Sequence, residues 1–245
     1  MKHALIMLLA MAFAAECHAL GQENPEKKPE ARKPFVPTDH YVKKSVEGWV
    51  VYVNKDLLGG RKELGDRALR LLENKLFEIR RSVPPAALAS LVKVPIWLGV
   101  DDGHAPCAEY HPNREWLIEN GYNPDKAKGV EIGNAENFVQ WSHDQPSMIL
   151  HELSHAYHDQ VLGFHHRGVQ DAFHKAVASK GYESVLRCNG RMDRAYALSN
   201  EQEYFAEASE AYFGTNDFYP FVRAELKKHD PVGFETLHEV WDIRK

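Results

Sequence analysis

MILHELSHAYHDQ, Met148 to Gln160, is the stretch on which the reading of this chain turns. Two histidines, His151 and His155, stand four residues apart, and Glu152 follows the first directly. On a helix that spacing is about one turn, so both imidazoles share a face and can offer nitrogens to one tetrahedral ion. Glu152 is the next residue round, near the same ion but angled away. That place suits a carboxylate that takes a proton from water held by the metal. Asp144 and Pro146 are helix-start signals and Gly163 is a natural stop, so the pattern predicts one helix over 146–162. With 14 histidines in the chain, the five-residue match alone is weak. Met148, Ile149, Leu150, Leu153 and Ala156 mark the helix as buried. A plain core helix would look the same, although two imidazoles and a carboxylate are costly there without partners.

Zinc of this kind needs a third protein ligand and leaves its fourth position for water. His158 lies on the same helix, where three ligands cannot easily surround one ion. The metzincin pattern escapes this with a glycine after the second histidine and a third histidine beyond. His158 and Val161 occupy those two places here, so that pattern is excluded. A second candidate lies in NEQEYFAEASEAYFG, Asn200 to Gly214, whose apolar spacing predicts an amphipathic helix. Glu203 and Glu207 are four apart and share a face, so one can bind zinc while the other accepts a hydrogen bond from a zinc-bound histidine. The plain alternative is a solvated acidic face, which is the expectation for Glu201 and Glu210. The third candidate is Asp217, in GTNDFY. Aspzincins carry Gly-Thr-x-Asp-x-x-Tyr, but Tyr219 comes one place early here, and Asp217 serves equally well as a helix cap before FYPFVRAEL. Asp217 ranks second to Glu203.

The pair HELSHAYHD and YALSNEQEYFAEA resembles the catalytic domain of anthrax toxin lethal factor and its gluzincin relatives. That family has the two-histidine helix followed by Asn-Glu-x-Glu-Phe-Phe-Ala-Glu-Ala. The similarity is confined to these two short blocks of the C-terminal part, with Tyr204-Phe205 in place of the two phenylalanines. The resemblance implies His151, His155 and Glu203 as zinc ligands, Glu152 as general base, and Glu207 as acceptor for a zinc-bound histidine. It implies a further role for Tyr196, four residues before Asn200, as the donor that stabilises the transition state. It also implies a zincin fold, in which an extended peptide lies along an edge strand before the metal helix. KGVEIGN, Lys128 to Asn134, has the place and composition for that strand, and equally for an ordinary core strand.

The bulk numbers agree with a soluble globular chain: 245 residues, 44% hydrophobic and 27% charged. With 30 Lys+Arg against 35 Asp+Glu the formal charge is -5, which lacks the basic excess of a nucleic-acid binder. MKH followed by the apolar run Ala4 to Ala15 reads as a signal peptide, too short to span a bilayer, with cleavage after Ala19. Glu16 before Cys17 fits a lipoprotein poorly, so export to a secreted or periplasmic state is the expectation. Residues 20–37 are charged, proline-rich and poor in large apolar side chains, and read as a flexible linker. If Cys17 leaves with the signal, Cys107 and Cys188 remain, as a disulfide or as two separate buried thiols.

WVVYV (49–53) and VPIWLGV (94–100) have strand composition. RKELGDRALRLLENKLFEIRRSV has helical apolar spacing, and NREWLIENG predicts a short helix. KGVEIGN and ENFVQW predict two short strands about a turn at Gly133-Asn134, and the chain after Pro146 reads as helix between loops at 163–168 and 188–198. The sum is an α+β, zincin-like domain over 38–245, with a small mixed sheet before a mostly helical half. The function this predicts is an exported zinc metallopeptidase acting on a peptide or protein substrate, with one Zn2+ per chain. The rival is a zinc-stabilised, non-catalytic module that holds peptides or cell-wall material. An intact Glu152 and Tyr196 favour the enzyme, because zinc holding needs neither.

Overall fold

Trp49, Val51 and Val53 are fully buried, while Val50 is exposed. That alternation is what a strand with one face on a core requires. The computed structural model describes residues 34–101 and 103–241. The signal segment 1–19 and most of the linker lie outside the described residues. The linker's last residues already touch the fold, since the Val36 carbonyl accepts from Asn123 Nδ2 at 3.0 Å.

The first half comprises β1 (Tyr41–Val46), β2 (Trp49–Asn54), α1 (Lys62–Ser82), α2 (Pro85–Leu91), β3 (Ile96–Leu98), β4 (Ala108–Tyr110), α3 (Arg114–Glu119), β5 (Val130–Ile132) and α4 (Ala135–Trp141). The second half comprises α5 (Met148–Tyr157), α6 (Arg167–Ser179), the short hairpin β6 (Val185–Leu186) and β7 (Met192–Asp193), then α7 (Glu201–Phe213), α8 (Arg223–His229) and α9 (Pro231–Trp241). The chain is α+β, with a small mixed sheet and a helical half. The sheet order is β1-β2-β3-β5-β4. Its central pairs are parallel and both edge strands are antiparallel to their neighbours. Among the described residues no helix is long and apolar enough to cross a membrane.

Val51, Val53, Ile96, Leu98, Val130 and Ile132 share one face and pack with Ala68, Leu72 and Leu76 of α1 in the main core. Both leucines are fully buried, so either leucine-to-alanine change costs about 2–5 kcal/mol. On the opposite face Tyr52, Trp97, Glu131 and Glu109 lie in register across four strands. Tyr52 stacks on Trp97 at 4.0 Å. Glu131 is buried and pairs with Lys126 and with His111 Nε2, the latter at 2.7 Å. An enclosed carboxylate needs such partners, and these fasten the loop before β5 to the back of the sheet.

Three expectations change here. KGVEIGN does supply a strand, but β5 is interior, and the edge on that side is β4. ENFVQW is a helix, not a strand. Asn134 accepts from the Asn137 N–H at 2.9 Å and caps α4, overriding the strand-like composition that follows. Cys107 and Cys188 form no disulfide. Cys107 is buried against Met148 Sδ at 3.1 Å, and exposed Cys188 lies 3.2 Å from the Asp144 carbonyl.

Candidate metal centre

Helix α5 begins at Met148 and its regular winding ends at Tyr157, where a π turn over His158–Leu162 runs out at Gly163, φ 80°. The expected histidine helix is therefore present, widened in its last turn. His151 and His155 sit one turn apart with ring centroids 4.7 Å from each other. Helix α7 packs across α5, and Asn200 caps it by accepting from the Glu203 N–H at 2.9 Å. That bond explains the asparagine three residues before Glu203, because the cap sets where the first turn begins.

The two helices bring three donor atoms together. Glu203 Oε2 lies 3.0 Å from His151 Nε2 and 3.3 Å from His155 Nε2. Ligands about 2.0–2.1 Å from a tetrahedral zinc are separated by about 3.3 Å, so the spacing fits that ion. Two imidazoles and one carboxylate, open on one side, also form a suitable donor set for catalytic zinc. His151, Glu207 and Glu210 make a second grouping, but all three are buried, whereas His155 and Glu203 of the first are partly exposed. The structure does not bring Asp217 into either grouping. Asp217 is buried with Arg187 Nε 3.5 Å away, and α8 starts only at Arg223, so it does not cap that helix either. His158, rejected as a ligand on spacing, is enclosed between Phe164 and Phe205.

The acid nearest the far nitrogen of His151 is not the expected Glu207. His151 Nδ1 lies 2.7 Å from Glu210 Oε1, while Glu207 is 3.8 Å away. Glu210 is not on a solvated face but 3% exposed. Its signal in the sequence was its position two turns past Glu203, among Ala208, Ala211 and Tyr212.

Glu152 is beside the donors and accepts the Tyr110 backbone N–H at 2.7 Å. Burial raises its pKa, and His151 and His155 partly oppose the rise. Burial also pushes Glu203 upward, but the two histidines outweigh it and hold the group well below the usual carboxylate range. Tyr196 sits in the turn just before α7, its ring 6.4 Å from that of His151. Burial, then the Glu203 and Glu152 carboxylates, raise its phenol, so it stays protonated and able to donate. Asp217 is pushed up to about 7 by burial and by Glu210.

All of these groups line one cleft of about 1040 Å³. Its wall is β4, a strand missed in the sequence because three residues carry no visible alternation. Cys107 and His111 bond backward to Gly133 and Gly129, so by the pleat Ala108 and Tyr110 turn their backbone groups outward, along the cleft. Gly133 permits this arrangement, since a Cβ there would lie 2.5 Å from the Ala105 carbonyl. Comparison with family models, with curated proteins and with solved structures finds no match for the chain.

Proposed function

We propose that this chain is an exported zinc metallopeptidase with a zincin-like domain. The observation that carries the reading is the convergence of His151 Nε2, His155 Nε2 and Glu203 Oε2 in a cleft that also holds Glu152 and the free edge of β4. Zinc, when bound by those three residues, supplies a Lewis acid that polarises the scissile carbonyl and acidifies the attacking water. Glu152 takes the proton from that water and delivers it to the leaving nitrogen. Burial raises its pKa above the ordinary carboxylate value, which makes it the better proton acceptor. The Tyr196 hydroxyl donates to the carbonyl oxygen as negative charge develops on it. The outward N–H and carbonyl of Ala108 and the outward carbonyl of Tyr110, whose N–H is taken by Glu152, hold the substrate in extended form by strand addition, and this assigns to β4 the role first expected of Lys128 to Asn134.

The deciding experiment incubates the purified mature protein with a mixed peptide library, with and without a chelator. Chelator-sensitive cleavage by a zinc-containing preparation is the expected result. A preparation that contains zinc yet cleaves nothing overturns the enzyme and favours a binding module.

A further inference from the structure

We infer that Glu210, and not Glu207, is the residue that positions His151 for the metal; the inference rests on the zinc reading above. A neutral imidazole has one N–H and one lone pair, and a ligand must keep the lone pair for the ion. His151 offers its two nitrogens to two carboxylates of one helix. Nε2 lies 3.0 Å from Glu203 and Nδ1 lies 2.7 Å from Glu210. Glu210 therefore accepts the N–H at Nδ1, and the lone pair is left at Nε2, the nitrogen that faces the other two donors. Glu207 at 3.8 Å is beyond hydrogen-bond reach of Nδ1.

The reason is helical phase. Glu203 and Glu210 are seven residues apart, close to two full turns, so they project from nearly the same line of α7. Glu207, four residues along, falls to one side of that line. The spacing lets α7 hold a single ring from both ends. Glu210 is itself enclosed, which fixes its own carboxylate. His155 has no equivalent: among the described residues its side chain makes its ion-pair contact with Glu203 alone. His151 is thus held by carboxylates at both ring nitrogens and His155 at one.

The test compares the full chain with Glu210→Leu, Glu210→Gln and Glu207→Gln. Two readouts are taken on zinc-loaded protein: zinc affinity by competition with a chromophoric chelator, and the NMR signal of the His151 imidazole N–H. Glu210→Leu weakens zinc binding by about 10- to 100-fold and abolishes the slowly exchanging imidazole signal. Glu210→Gln, whose amide oxygen still accepts from Nδ1–H, recovers most of the affinity. Glu207→Gln stays within about threefold of wild type and keeps the signal. Wild-type affinity in Glu210→Leu overturns the inference, and so does an equal loss in Glu207→Gln. If Glu210→Leu does not fold, Glu207→Leu decides, because disappearance of the imidazole signal there is equally fatal. A wild type that takes up no zinc overturns the zinc reading together with this inference, whereas zinc uptake that Glu210→Leu leaves unchanged overturns this inference alone.

Discussion

Tyr110 donates its backbone N–H to Glu152 Oε2 at 2.7 Å, and its hydroxyl donates to Asp159 at 2.6 Å. One residue of the edge strand therefore grips α5 beside the candidate base and again in the π turn. These two bonds hold β4 directly against α5 at one wall of the cleft. A carboxylate aimed by a backbone donor also loses little orientation when it exchanges a proton.

Metal content tests the ligand assignment. One zinc per chain is expected by elemental analysis of the purified protein. Glu203→Ala should strip or greatly weaken it, because the other two donors share one helix and cannot enclose the ion. Asp217→Ala should leave it bound, and the reverse pattern would move the site to Asp217.

Glu152→Gln keeps the shape of the side chain and removes the base. Zinc content and melting temperature should match wild type, with peptidase activity lower by roughly 10²-fold or more. Full activity in that variant would defeat the mechanism.

Tyr196→Phe keeps the ring beside His151 and removes the hydroxyl. The expected result is unchanged zinc and little change in KM, with kcat lower by about 10- to 10³-fold, the cost of one oxyanion donor. Wild-type turnover would make Tyr196 a packing residue.

The α+β class and the two helices that carry the site were legible because their residues repeat with the period of a buried helix. His151, His155 and Glu203 needed only that period to be placed on α5 and α7. Which acid of α7 meets His151 was only half legible: the seven-residue spacing puts Glu210 in line with Glu203 but does not say which line faces His151. Glu207 and Glu210 both point toward α5, and the choice depends on how the two helices cross. Strand β4 escaped notice because AEY lies between Pro106 and Pro112 with no room for a pattern. The cysteine pair misled for a different reason: an even count says nothing about where two thiols lie in space.

Thiol titration tests that correction. Native protein should show one accessible thiol, Cys188, and denatured protein two. Cys107 is silent until unfolding because burial pushes it up to about 12. No titratable thiol after denaturation without reductant would restore the disulfide.

His158 predicts an acid-side loss of stability. Burial lowers its pKa from 6.5 to about 3, and both ring nitrogens lack a hydrogen-bond partner. Between those values the unfolded chain binds the proton and the folded chain does not. Stability contributed by this group is therefore complete above pH 6.5 and falls as the pH drops toward 3, by at most about 1.4 kcal/mol per unit. Urea titrations of metal-free protein from pH 7 to pH 4.5 should show a shallower decline for His158→Leu. Parallel declines in the two proteins would remove His158 as the cause.

From Tyr204 to Tyr212 every residue of α7 is buried, so the helix that carries the acids runs through the interior and not over a surface. Glu207 and Glu210 go inside with it, Glu203 stays partly exposed in its first turn, and Asp217 adds a third buried carboxyl. Enclosed negative charges repel unless protons or a cation neutralise them. Under the proposed function, loading the site with zinc is therefore also an act of folding: the bound ion stabilises the native state by its own binding energy. On the zinc reading proposed above, a chain without its ion is the looser one.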